Sequence, residues 1–296
     1  MPESREVKFR VTNGLSLAGL SWGESHPRKV LALHGWLDNA ASYHSLANKL
    51  ANDYHLVAMD FAGHGLSSHR PEGVRYHLLD NVDDVIQFAD ALGWDEFCLM
   101  GHSMGAGIAT YTTAAFPERI KALILLEGAG THATPPDEAP GVLRKAVRDM
   151  ERTPDLRKPI YPTLADAVKA RTSVVGSISE QAAEWLCERG THFVNAEKPG
   201  EGVTWTSDPR LRMSSAIRLT EPLVQGFMQQ IECETLFVGA DNGFWGRMPA
   251  IQERLKLIRQ LTQVSLPGNH HHHLEPDTCA AVADAILGFL AEQGKA

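Results

Sequence analysis

Apolar residues in this chain gather into short unbroken runs, and these runs alternate with amphipathic stretches. Val30-Leu31-Ala32-Leu33 contains no polar position, as expected of a strand buried on both faces. His55–Met59, Phe97–Met100 and Ala122–Leu126 repeat that pattern. Between them Tyr43–Leu50 reads as a helix, and Tyr76–Leu92 as a long amphipathic helix with acidic residues on one face. A further helical stretch, Ala106–Phe116, is stopped by Pro117. Upstream, Val7–Val11 and Leu15–Ser21 flank Asn13-Gly14, the signature of an antiparallel hairpin. Repeated strand–helix–strand units imply a mostly parallel sheet covered by helices on both faces.

From Gly128 to Met228 the pattern changes. Pro135, Pro136, Pro140, Pro154, Pro159 and Pro162 cut the segment into short helical pieces without a clear buried strand. Alternation then returns: strand Glu234–Val238, helix Met248–Arg259, strand Thr262–Leu266 and closing helix Asp277–Ala291. The reading is one α/β core, residues 1–128 and 229–296, interrupted by a mostly helical insertion at 129–228.

Composition narrows the function classes. Of 296 residues 43% are hydrophobic, enough for a sizeable core, and the formal net charge is -8. With no Lys/Arg cluster, a nucleic-acid partner is not expected. No apolar run has the length of a membrane span, and the polar start of the chain lacks an apolar signal core, so a cytoplasmic protein is expected. Cys98, Cys187, Cys233 and Cys279 are scattered without C-x-x-C spacing and are expected as free thiols.

The chemistry is concentrated in Gly101-His102-Ser103-Met104-Gly105, a G-x-S-x-G placed between an apolar strand and a helix. That frame sets a serine on a sharp strand-to-helix turn, with small neighbours making room and the helix N-terminus aimed at the reacting atoms. A serine needs a base, and the base an orienting acid. The base candidates lie in Gly268-Asn269-His270-His271-His272-His273, after the last strand; His270 is the first choice and His273 the second. Consecutive loop histidines project in alternating directions, so no metal site is assigned to them. Two carboxylates end strands at the same sheet edge: Glu127 after Ala122–Leu126, and Asp241 after Glu234–Val238. Oxyanion donors are expected from the Met104 N–H and from the Trp36 N–H in His34-Gly35-Trp36, each contributing about 3–4 kcal/mol in the transition state. Asp60-Phe61-Ala62-Gly63-His64-Gly65-Leu66-Ser67 reads as a tight structural loop, with Ser67 not catalytic and no P-loop lysine present.

Taken together, His34-Gly35-Trp36, Asp60-x-x-Gly63-His64-Gly65-x-Ser67, Gly101-His102-Ser103-Met104-Gly105 and Gly268-Asn269-His270 resemble the signatures of the α/β-hydrolase superfamily. Leu33–Ala40, Val57–Ser68, Val203-Thr204-Trp205 and Asp208-Pro209-Arg210-Leu211 are similar to its serine hydrolase-like, Kraken-type group. The resemblance implies an eight-stranded, mostly parallel sheet with a helical cap inserted after the sixth strand. In many relatives the acid stands three residues after the glycine ending its strand; counted from Gly239 that position is Asn242, one past Asp241. Other relatives carry the acid after the preceding strand, which favours Glu127 and leaves Asp241 as the alternative.

The implied activity is hydrolysis of carboxylic esters through an acyl-enzyme, with no cofactor and a small-molecule substrate bearing an apolar acyl or aryl group. Thioester, lactone and C–C bond hydrolysis are alternatives on the same triad, as is a non-catalytic small-ligand receptor. Ser103 stands where haloalkane dehalogenases and soluble epoxide hydrolases carry an aspartate, which argues against their chemistry. Trp36 and Trp205 are the candidate substrate contacts, and Trp185, Phe193 and Met213 are further candidates for an apolar cap lining.

Overall fold

The computed structural model describes residues 3–173, 178–243, 248–292 and 294. Strands β1 (Arg5–Arg10) and β2 (Ser16–Trp22) form the expected hairpin, with Arg10 opposite Ser16. Then follow β3 (Lys29–Leu33), α1 (His44–Leu50), β4 (His55–Met59), α2 (Asp80–Ala91), β5 (Phe97–His102), α3 (Met104–Ala115) and β6 (Ile120–Leu126). After an inserted segment the core resumes with β10 (Glu234–Ala240), α8 (Pro249–Leu255), β11 (Leu261–Leu266) and α9 (Cys279–Glu292). The eight core strands lie in the order β1-β2-β4-β3-β5-β6-β10-β11. All neighbours are parallel except β1/β2 and β2/β4.

Period-two alternation explains why the strands read as continuous apolar runs. Leu31, Leu33, Leu99, Leu123 and Leu125 point to one face, against Val85 and Phe88 of α2 and Ile108 of α3. Val30, Ala32, Cys98, Met100, Ile124 and Leu126 point to the other, against Leu46 and Leu50 of α1 and Ile286 and Phe289 of α9. All these strand residues are fully buried. Each such aliphatic side chain contributes about 1.5–3 kcal/mol of transfer free energy, so the sheet is the stable platform of the molecule.

The helix expected over Tyr76–Leu92 starts later, at Asp80. Tyr76 is drawn out of it: its hydroxyl donates to Asp208 Oδ2 (2.8 Å) and accepts the Arg70 N–H (2.9 Å). Helix α8 ends at Leu255 rather than Arg259. The larger difference lies between β6 and β10. Besides α4 (Ala139–Glu151), α5 (Leu164–Thr172), α6 (Glu180–Gly190) and α7 (Glu221–Gln229), this segment carries a small antiparallel sheet. Its strands are β7 (Ile160–Tyr161), β8 (Thr191–Phe193) and β9 (Val203–Trp205), in the order β7-β9-β8. Strands of two or three residues are too short to display alternation, so their sequence carried no strand signal. Ala167, Val168, Ala182, Ala183, Leu186, Cys187 and Val203 of the segment form a small core together with Leu274 from the loop before α9.

No helix among the described residues is long and apolar enough to cross a membrane. None of Cys98, Cys187, Cys233 and Cys279 is in a disulfide.

Candidate active site

Three strand ends build the site. Between β5 and α3, Ser103 adopts φ 52° and ψ -113°, a conformation that costs a non-glycine residue about 1–3 kcal/mol. The turn closes only because Gly101 and Gly105 lack side chains. A Cβ on Gly101 would stand 2.3 Å from the Gly105 carbonyl oxygen, and one on Gly105 would stand 2.1 Å from that of Leu33. The Ser103 N–H donates to the Leu126 carbonyl (3.0 Å), tying the turn to the end of β6. Ser103 is half-buried, at the positive end of a helix that is almost wholly buried.

One residue beyond β6, Glu127 is also left-handed (φ 48°) and fully buried. Its N–H donates to the Val238 carbonyl (3.0 Å), and its Oε1 accepts the Ala240 N–H (2.8 Å). Its Oε2 lies 3.2 Å from His270 Nδ1. A carboxylate only accepts, so this contact places the proton on Nδ1. The carboxylate fills the space beside Gly243, where a Cβ would stand 2.2 Å from Oε2. Burial lowers the pKa of His270 below its ordinary value, and the hydrogen bond to Glu127 opposes that shift. An imidazole held neutral, with one nitrogen fixed on a carboxylate, offers the other nitrogen as a base near neutral pH.

Asp241 is placed elsewhere. Its side chain is exposed and accepts the Ser265 hydroxyl (2.7 Å), while its N–H donates to Leu266. It lines a surface groove of about 480 Å³ with Gln252, Gln263 and Ser265, a groove that includes none of Ser103, Glu127 and His270. His273 is buried with Nε2 3.0 Å from Ser42 Oγ, away from either carboxylate. His271 approaches Asp38 (3.4 Å). His272 is buried, and burial pushes its pKa down to about 4.

The loop after β3 is braced from below. His34 Nδ1–H donates to the Gly35 carbonyl (2.7 Å), and its Nε2 accepts the Phe61 N–H (3.1 Å). His64 Nε2 accepts the N–H of Leu37 (3.3 Å), itself left-handed at φ 63°. The Asp60–Ser67 loop thus supports the Trp36 turn. Ser67 belongs to that scaffold, donating to the Asp60 carbonyl (2.6 Å). Neither the Trp36 nor the Met104 N–H is hydrogen-bonded among the described residues. Backbone donors in that state can receive a developing oxyanion. The Trp36 ring is 54% exposed, and its indole N–H donates to the Leu211 carbonyl of the inserted segment (3.1 Å).

The other aromatic candidates are spread out. Trp205 is partly buried and packs on Tyr161, with its indole N–H 3.3 Å from that hydroxyl, against the small core of the insertion. Trp185 packs on His44, Phe193 is half exposed, and Met213 lies by Thr153.

Several residues here make contacts that the motifs containing them did not announce. His102, fully buried, donates from Nε2 to the His270 carbonyl (2.9 Å). Asp38 pairs with Arg171 of α5 (2.7 Å), and Asp60 with Arg189 of α6 (2.7 Å). Their one advance sign was a charged residue beside a glycine motif. Asp38, His102 and His271 place potential metal-ligand atoms within 4.8 Å of one another. However, Arg171 already supplies Asp38 with a fixed cation, which a divalent ion would have to oppose.

Comparison with known proteins identifies the fold and its family. Residues 29–160 match the family model of the alpha/beta hydrolase fold. A serine hydrolase-like protein of Danio rerio is 32% identical, over 94% of this chain and 86% of its own length. Among solved structures, a hypothetical protein from Pseudomonas aeruginosa PAO1 is 39% identical with a TM-score of 0.89, covering 98% of this chain and 99% of that one. A thioesterase domain from the curacin biosynthetic pathway is 27% identical with a TM-score of 0.81, covering 97% of this chain and 99% of that one. The chain belongs to the α/β-hydrolase family, within its serine hydrolase-like group.

Proposed function

We propose that the protein is a serine hydrolase of carboxylic esters, with Ser103, His270 and Glu127 as its triad. The observation that carries this reading is the buried 3.2 Å contact of His270 Nδ1 with Glu127, on strand ends beside the Ser103 turn. Ser103 Oγ attacks the ester carbonyl carbon while His270 Nε2 takes its proton. Glu127 holds the imidazole's orientation and balances the imidazolium. The Trp36 and Met104 N–H groups receive the oxyanion. Collapse of the tetrahedral intermediate expels the alcohol, which takes the proton from His270. Water, deprotonated by the same imidazole, then releases the carboxylic acid and restores Ser103.

Residues 129–228 serve as a cap over the site, and 1–128 with 229–296 as the catalytic core. The Arg171–Asp38 and Arg189–Asp60 pairs and the Trp36–Leu211 bond support that division, because each joins the insertion to a loop at the site edge. Likeness to a thioesterase domain favours thioesters as a second substrate class for the same triad.

The test is intact-mass analysis after exposure to a fluorophosphonate, beside a panel of p-nitrophenyl esters and acyl thioesters. One adduct, lost in Ser103→Ala, with turnover on oxygen esters supports the proposal. Turnover confined to thioesters moves it to the second class. Folded protein that binds small ligands without adduct or turnover would make it a receptor instead.

A further inference from the structure

Resting on the triad reading, we infer that His102 is a positioning residue that locks the loop carrying the base to the turn carrying the nucleophile. His102 precedes Ser103 directly, and its ring lies 4.7 Å from that of His270. Its Nε2 faces the His270 carbonyl at 2.9 Å. A carbonyl only accepts, so Nε2 carries the proton and Nδ1 the lone pair. Nδ1 is buried without a hydrogen-bond partner among the described residues, so the Nε2 bond is the ring's polar anchor. His270 is therefore held twice, by its side chain on Glu127 and by its main chain on the nucleophile's neighbour.

The His102 ring is closely surrounded. Gly35 packs against it so closely that a Cβ there would stand 3.0 Å from Nδ1. The rings of His273 and His271 lie 4.1 Å and 5.0 Å from it, centroid to centroid. Such a wedge transmits a displacement of either loop to the other. Catalysis is sensitive to shifts of that kind, since about 1 Å of misplacement can cost about 100-fold in rate.

The test compares His102→Gln with His102→Asn. Glutamine can carry an amide N–H out to the position of Nε2, whereas asparagine falls short. The expected result is a kcat for His102→Asn lower by about 10- to 100-fold with KM little changed, slower fluorophosphonate labelling of Ser103, and substantial recovery of both rates in His102→Gln. Equal kcat in wild type and His102→Asn, or equal losses in both variants, would overturn the inference. On the unmodified protein, ¹⁵N NMR of the His102 ring must show the Nε2–H tautomer; the Nδ1–H tautomer would overturn it whatever the variants do. Failure of wild-type Ser103 to label would instead defeat the triad reading, which the tautomer measurement leaves untouched.

Discussion

Ser103 and Glu127 leave the neighbouring parallel strands β5 and β6 both at positive φ, 52° and 48°. They are cross-tied there, because the Ser103 N–H bonds to Leu126, the residue before Glu127. Leu37, just beyond β3, is the third non-glycine residue at positive φ among the described residues. Backbone strain is thus collected at the carboxyl edge of the sheet, where the surrounding packing holds it.

Removing that strain should stabilise the fold. Ser103→Gly relieves a left-handed residue and is expected to raise the melting temperature by about 2–4 °C while abolishing turnover. Ser103→Ala keeps the Cβ and should leave the melting temperature near wild type. Differential scanning calorimetry of the two variants decides the matter, and a lower melting temperature for Ser103→Gly would show that the turn stores no strain.

The two carboxylates should separate sharply in kinetics. Glu127→Gln keeps the shape but loses the charge facing His270, and kcat is expected to fall by about 10⁴-fold. Asp241→Asn alters an exposed group bonded to Ser265 and should change kcat little. Steady-state kinetics on one ester suffices; a large loss in Asp241→Asn alone would transfer the acid's role.

Burial governs the response to pH. His270 must be neutral to accept a proton, and its pKa is lowered, so the acidic limb of kcat/KM should have its midpoint below 6.5. Stability has the same sense. His34, His64, His102, His272 and His273 all have lowered pKa values because burial disfavours their charged forms, with His64 at about 3 and His272 at about 4. Below pH 6.5 the unfolded chain gains protons that the folded one refuses. Each such histidine then withdraws about 1.4 kcal/mol per pH unit until its own folded pKa is reached. Urea titrations from pH 7 to 4.5 should show a steep fall beginning near 6.5; a flat profile would contradict the burial of these rings.

The ion pairs to the insertion should matter unequally to stability and activity. Arg189 binds Asp60 through Nε and Nη2 (3.0 and 2.7 Å), and its Nη1 also pairs with Glu6. Arg189→Ala leaves Asp60 buried without its cation and is expected to cost about 3–5 kcal/mol by denaturant unfolding. A loss below about 1 kcal/mol would place the pair among the ordinary surface bridges.

What could be read in advance follows from the range of the forces involved. Unbroken apolar runs, the Asn13-Gly14 turn and the glycines around Ser103 act within a few residues, so the parallel sheet, the hairpin and the strand-to-helix turn at Ser103 were legible directly. His270 stood out because it opens the loop after the last strand.

The choice between Glu127 and Asp241 was different in kind. Both end apolar strands at the same edge, and only the local path separates them. Glu127 sits at positive φ between β6 and β10 with its carboxylate turned inward to Ala240 and His270, whereas Asp241 is drawn outward to Ser265. The β7-β9-β8 sheet, the Arg171–Asp38 and Arg189–Asp60 pairs and the His102–His270 bond likewise joined residues far apart in the chain or without periodic pattern. By itself the sequence determined the sheet, the turn and the candidate nucleophile, because short-range sterics and burial specify them. Likeness to relatives had favoured Glu127, but the contact of a carboxylate with the imidazole and the residues that brace it belong to the tertiary structure, because they exist only once separate strand ends are brought to one edge.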